Sequence, residues 1–208
     1  MRNEESLPIA AIEIEMSGCA YTDNLPGLLD EELSVLAPTT CKGYWAPAAG
    51  PELIIKVVLK IIADAAAEWA VGKALDKIFE ILTKHLRNKP VLETVEIQRS
   101  AYSVRIMDRS FIDGAKQVAN STMDERVDML QAVREYVGAE SRKGMKIKRV
   151  TYPCAIEEKA PERRCIVGYG SPELWLVEYD DGNGCHAMLY DHAAGKAIEG
   201  ITSWSGRD

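Results

Sequence analysis

Cysteine and histidine are scarce in this chain, yet Cys185, His186 and His192 fall within one short stretch, with Asp180, Asp181 and Asp191 around them. A thiolate nucleophile needs a base within hydrogen-bond reach, and histidine is a usual one. Neighbouring residues on a strand point to opposite faces, so Cys185 and His186 are poorly placed to pair with each other. His192, in the turn beyond, is the imidazole left to approach either of them. On these residues a cysteine/histidine-dependent enzyme, with its site on the 180–192 hairpin, is one expectation. The simpler reading is a small buried cysteine beside an exposed histidine at a hairpin mouth.

Imidazole and carboxylate also suit zinc or manganese. However, the spacing from His186 to His192 matches no established ligand pattern, and His85 is remote in sequence. Asp181-Gly182-Asn183-Gly184 lacks the frame and the terminal glutamate of a calcium loop, and its residue types are those of a tight turn. There is no GxxxxGK[ST], no GxGxxG opening a helix, no HExxH and no GxSxG. No metal and no cofactor are expected, and the balance leans away from an enzyme.

The elements that must carry these residues are legible in part. Leu174–Tyr179, the turn 180–184, Cys185–Tyr190 and a strand over 196–204 predict an antiparallel three-stranded meander. Ile12, Ile14 and Met16 alternate with Glu13 and Glu15, predicting a half-buried strand. A short acidic helix is predicted over Pro26–Leu36. Val91–Met107 reads as one long strand or a hairpin turning near Arg99. Thr122 or Ser121, with Glu125 placed for a capping box, predicts a capped helix ending at Gly138. Lys146–Ile156 reads as a strand, with Pro153 favouring an edge or a bulge.

Residues 51–87 read as one long helix, opened by Pro51, with Glu52, Lys56, Lys60, Asp64 and Glu68 at four-residue intervals. Its wet face changes sides near Trp69–Gly72, so the expectation is a break at Gly72 or different neighbours for the two halves. The Pro- and Gly-rich stretch 37–51 is the best candidate for a mobile linker, separating the N-terminal strand and short helix from the rest. The fold class expected is α+β in a single domain, residues 1–208. A mostly antiparallel sheet with its C-terminal meander packs on the long central helix, beside one or two shorter helices.

With 25 Lys+Arg against 32 Asp+Glu the chain carries a net charge of −7. That argues against a general nucleic-acid binder, which needs surplus cations to displace counterions. Residues 1–50 account for −6 of the charge and the remainder for −1. One basic cluster stands out: Arg142, Lys143, Lys146, Lys148 and Arg149. Alternation places Lys146 and Lys148 on one strand face with Tyr152, as a modest anionic-partner patch or a charged strand edge that resists aggregation. No apolar stretch approaches the length of a membrane span, and the first residues carry no secretory signal pattern. The five cysteines have no CxxC, so a reduced, cytoplasmic protein is expected.

Eight tyrosines against two phenylalanines suit surfaces that must be apolar and polar at once. Tyr44 and Trp45 in the Pro/Gly-rich stretch, with Asp30, Glu31 and Glu32 before it, are the candidate partner-binding residues. The function expected is that of a non-enzymatic protein-binding protein with a protein partner, basic in character. One form of it is an immunity or accessory protein of a bacterial conflict system that neutralises a basic toxin. A third expectation is an effector acting through an amphipathic 51–87 helix.

Overall fold

The computed structural model describes residues 9–18, 24–46, 52–60, 67–114, 122–160 and 163–198. They form a nine-stranded sheet, a separate two-stranded sheet and three helices. The α+β class with a mostly antiparallel sheet and a C-terminal meander is as the sequence predicts.

The first half follows from alternation. In β1 (Ile9–Ser17), Ile12, Ile14 and Met16 are buried while Glu13 and Glu15 are half-buried on the other face. β1 lies between β3 (Glu52–Lys60) and β4 (Val91–Gln98), pairing Ile12 with Val57 and Ile97, and Ile14 with Ile55 and Val95. Among the described residues β2 (Thr39–Ala46) pairs only with β3 and forms one edge of the sheet. Between these strands run α1 (Leu25–Leu33) and α2 (Ala67–His85). Chain order β1-α1-β2-β3-α2-β4 with spatial order β4-β1-β3-β2 is the split β-α-β arrangement of ferredoxin-like units, a scaffold that hosts many unrelated functions. Leu29 and Leu33 of α1, with Leu75, Ile78, Phe79 and Leu82 of α2, pack into the same apolar core as the inward-facing strand residues.

A single 51–87 helix is not formed. Residues 52–60 are β3, in which Leu53, Ile55, Val57 and Leu59 are buried and Ile54, Lys56 and Val58 are half-buried on the opposite face. A four-residue charge spacing fits period two as well as it fits a helix, and the β-branched run Ile54, Ile55, Val57, Val58 favours the strand. The wet face changes sides because the element itself changes. Gly72 does not break α2. It is the close approach to α3 (Met123–Arg142), where an added Cβ would lie 2.8 Å from Val127 Cγ2. The stretch expected as a linker contains β2 in residues 39–46; residues 47–51 lie outside the described residues.

The second half joins through β5 (Ser103–Met107), which completes a hairpin with β4 and runs parallel to β6 (Lys146–Tyr152), with α3 as the crossover. Thr122 and Glu125 cap α3 reciprocally. The helix passes through Gly138 and ends at Arg142, where Gly144 takes a positive φ of 91°. The strand expected over 146–156 stops at Pro153, which has no N–H to continue a ladder, and resumes as β7 (Cys154–Ala160). β7 pairs with β8 (Arg163–Ser171) as the two-stranded sheet.

The meander is β9 (Leu174–Asp180), β10 (Cys185–Asp191) and β11 (Lys196–Ile198), attached to β6 through β9. It rests on α3 and not on α2. Tyr136 of α3 meets Trp175 edge-on at 5.8 Å and Tyr190 at 4.6 Å between ring centroids. Residues 199–204 of the expected last strand lie outside the described residues.

Opposite the helices, the sheet carries ion pairs from strand to strand. Lys56 meets Glu13 at 3.2 Å, and Glu96 takes Arg105 at 2.5 Å and Arg149 at 3.4 Å. Arg149 continues to Glu178 at 3.3 Å. Arg149 is therefore spent within the sheet, and Lys143 lies 2.6 Å from Glu140. A register shift between Ile147 and Arg149 reverses the alternation, so Tyr152 is buried and does not share an exposed face with Lys146 and Lys148. The expected basic patch is dispersed. No helix among the described residues is long and apolar enough to cross a membrane.

Candidate functional site

The hairpin singled out for catalysis keeps its reactive groups apart. Cys185 pairs with Asp180 at one end of β10 and is exposed, not buried. His186 shares the other face with Tyr179, ring centroids 5.5 Å apart, and its Nε2 lies 3.3 Å from Asp181 Oδ1, an ion pair only when the imidazole is protonated. The carboxyl of Asp181 is held below its ordinary range, chiefly by the Asn183 N–H that donates to it at 2.8 Å. His192 follows β10 at its far end, one residue beyond a strand that spans about 20 Å from Cys185 to Asp191 at some 3.3 Å per residue. It stacks on Trp175 at 4.3 Å with an interplanar angle of 11°, and its backbone N–H donates to Glu173. The fold brings His186 to Asp181 and His192 to Trp175, and neither imidazole to the Cys185 thiol.

The other described thiols are poor nucleophiles. Burial, reinforced by the Asp30 carboxylate, pushes Cys41 up to about 12. Burial pushes Cys154 up to about 11, and its Sγ lies 3.0 Å from the Thr151 carbonyl oxygen. Cys19 and the side chain of Cys165 lie outside the described residues. Among the described residues, no three His, Cys, Asp or Glu side chains are grouped to hold a metal ion.

The acidic residues lead to a different place. Asn24 precedes α1, Pro26 occupies its first turn, and the helix carries Asp30, Glu31 and Glu32 with no lysine or arginine. Ser34 Oγ donates to the Glu31 carbonyl, and the Leu36 and Ala37 amides both return to the Leu33 carbonyl. This tight exit leaves Val35 85% exposed and Leu36 38% exposed. Both border a groove of about 450 Å³ between the end of α1 and the outer face of α2. Glu32 completes the α1 wall, and Lys73, Asp76, Lys77 and Glu80 form the α2 wall. At 100° per residue Trp69, Lys73, Asp76 and Glu80 fall within about 60° of one another on α2. Trp69 therefore extends that wall by one turn. It is 52% exposed, and the Lys73 ammonium lies 5.8 Å from its ring.

The groove's charges are partly spent. Lys77 sits between Glu32 at 3.0 Å and Glu80 at 3.5 Å, which share one cation. Lys77 is held above its ordinary value, first by the hydrogen bond to Glu32. Asp76 takes the buried Arg126 from α3. Glu31 is exposed, and no ion pair engages its carboxylate among the described residues. Asp30 faces Cys41 instead of solvent alone, and its Oδ1 is buried without a hydrogen-bond partner. Of the expected partner-binding residues, Glu32 lines the groove, Glu31 is exposed beside it, and Asp30 turns inward. Tyr44 and Trp45 belong to β2, opposite Ile54 and Leu53 of β3; their side chains lie outside the described residues.

Sequence reasoning missed Val35, Leu36, Trp69 and Lys77. Placing Val35 and Leu36 inside a helix hid them. The signal was an apolar pair after an acidic helix and just before Pro38, where the helix had no room to continue. No protein-family model, curated protein or solved structure matches the chain.

Proposed function

We propose that this chain is a non-enzymatic binding protein, and that its α1–α2 groove receives a basic segment of a protein partner. The observation that carries the reading is the exposure of Val35 and Leu36 on a groove whose α1 wall bears only negative charge, with Trp69 exposed one helical turn before the α2 wall. Isolated exposed apolar side chains are ordinary, but a cluster of them rimmed by charge has the anatomy of an interface. The C-terminal end of the α1 dipole adds negative potential at the same spot. Such a surface steers a basic partner and quickens its association. Occluding the basic active site of a toxin, as an immunity protein of a conflict system does, is the form of this function that the acidity suits best.

The test is isolation of a stoichiometric partner on the tagged chain, followed by affinity measurements across a salt series. A basic partner, weakened by salt and at least about tenfold by Glu31→Lys with Glu32→Lys, is the expected result. An affinity indifferent to both would overturn the proposal. Asp30 is left out of the variant because its carboxylate packs on Cys41.

A further inference from the structure

We infer that the ligand of the α1–α2 groove is a basic amphipathic helix of about three turns, anchored by apolar side chains against Trp69, Val35 and Leu36. This rests on the binding reading above and adds the shape and side-chain pattern of the segment.

Length comes first. The α2 wall runs from Lys73 to Glu80, about 10 Å at 1.5 Å per residue, and Trp69 stands one turn before it, so a ligand helix of about three turns, about 16 Å, reaches both. The backbone argument then separates a helix from an extended peptide. Both walls are helices whose main-chain groups are paired within themselves, so an extended segment lying there would gain no main-chain hydrogen bonds from the protein. A helix satisfies them internally and offers only side chains, the mode of recognition in which an apolar face is laid into a groove. An extended segment would be served by the sheet edge at β2, which has β3 on one side only.

Charge sets the orientation of the ligand's faces. The α1 wall presents Glu32 and the negative end of a helix, with Glu31 exposed beside it, and Lys77 is already bracketed by Glu32 and Glu80. Lysine or arginine on the ligand therefore belongs toward α1, and a polar or acidic residue toward Lys73. Between those rows the apolar side chains, spaced three and four apart, meet Val35, Leu36 and Trp69. Tryptophan dominates the energetics of many interfaces, so Trp69 is the anchor to remove first.

The experiment is selection of a displayed library of random 16-residue peptides on the full chain, followed by synthesis of the enriched sequences. Expected are peptides with Leu, Ile or Phe at three- and four-residue spacing beside Lys or Arg. They should gain helical circular dichroism on binding, and a central proline should abolish binding. Affinity should fall at least tenfold on Trp69→Ala, and likewise on Val35→Ser with Leu36→Ser. All three positions are exposed, so these variants keep the fold, which a thermal melt verifies. Peptides that lose affinity on Glu31→Lys with Glu32→Lys, yet ignore Trp69→Ala and tolerate the proline, would overturn the helical anchor and leave the charge reading standing. Enriched peptides indifferent to every one of these variants, or no enrichment over the bare support, would overturn both.

Discussion

Glu68 Oε1 lies 3.2 Å from Arg99 Nη2, and the two side chains are 8% and 12% exposed. Glu68 stands in the first turn of α2 and Arg99 in the β4–β5 turn, while Arg134 of α3 approaches Glu68 Oε2 at 3.8 Å. One buried carboxylate thus ties together two helices and a hairpin. Removing it strands a largely buried guanidinium, so Glu68→Ala should cost about 3–5 kcal/mol in a urea titration. Replacing both partners, as Glu68→Met with Arg99→Leu, should cost markedly less than the single change. Equal losses would show that the pair contributes only its packing.

At Gly72, α2 runs close against α3. Alanine is favoured over glycine within a helix by about 1 kcal/mol, but here its methyl meets Val127 at 2.8 Å. Gly72→Ala should lower stability by about 1–2 kcal/mol net, as overpacking does. Val127→Ala in the same chain should recover part of that loss. A stabilised Gly72→Ala would mean that Val127 moves aside freely.

Asp108 and Glu96 should give opposite pH signatures. Burial raises the Asp108 carboxyl against the opposing hydrogen bonds from Ser110 and Arg109, and its Oδ2 has no partner. Its folded form holds the proton more tightly than the unfolded form, so its contribution to stability is lost as pH rises through the folded pKa. Asp108→Asn should therefore raise the melting temperature near pH 7, by roughly 2–4 °C, with the gain fading toward pH 4. For Glu96, burial pushes upward but the hydrogen bond and charge of Arg105, with Arg149, hold the carboxyl below its usual range. Its contribution is present above the unfolded pKa and lost as pH falls through the folded one. Glu96→Gln should accordingly lower the melting temperature at pH 7 and matter less in acid. Melts from pH 4 to 8 decide both signs.

Thiol labelling separates the cysteines. At pH 8, a pKa of about 12 leaves Cys41 with a thiolate fraction of only about one in ten thousand, and Cys154 is fully buried. Cys185 is exposed. Mass spectrometry after brief alkylation of the native chain should find Cys185 modified and Cys41 and Cys154 protected until denaturant is added. Early modification of Cys41 would contradict its burial against Asp30.

The amino-acid order alone determined the elements whose signals are local. Alternation of Ile12, Ile14 and Met16 with two glutamates marks β1, the reciprocal Thr122–Glu125 cap marks the start of α3, and Asp-Gly-Asn-Gly marks the β9–β10 turn. Each rests on side chains within a few residues of one another. Residues 52–60 show where such reasoning ends, since charges four apart suit a strand and a helix equally. Pairing of β3 with β1 and β2 settled that segment, because a strand buries its apolar face only when neighbours cover its edges. The candidate site lies mostly on the tertiary side, although the acidic run marked Glu31 and Glu32. Glu32 and Lys77 are far apart in the chain and meet only because α1 and α2 pack side by side on the sheet. Cys185 and His192 are close in sequence, yet an extended strand holds them apart. Spacing along a chain becomes distance in space only through the element that carries it, and a groove exists only once two elements share a core.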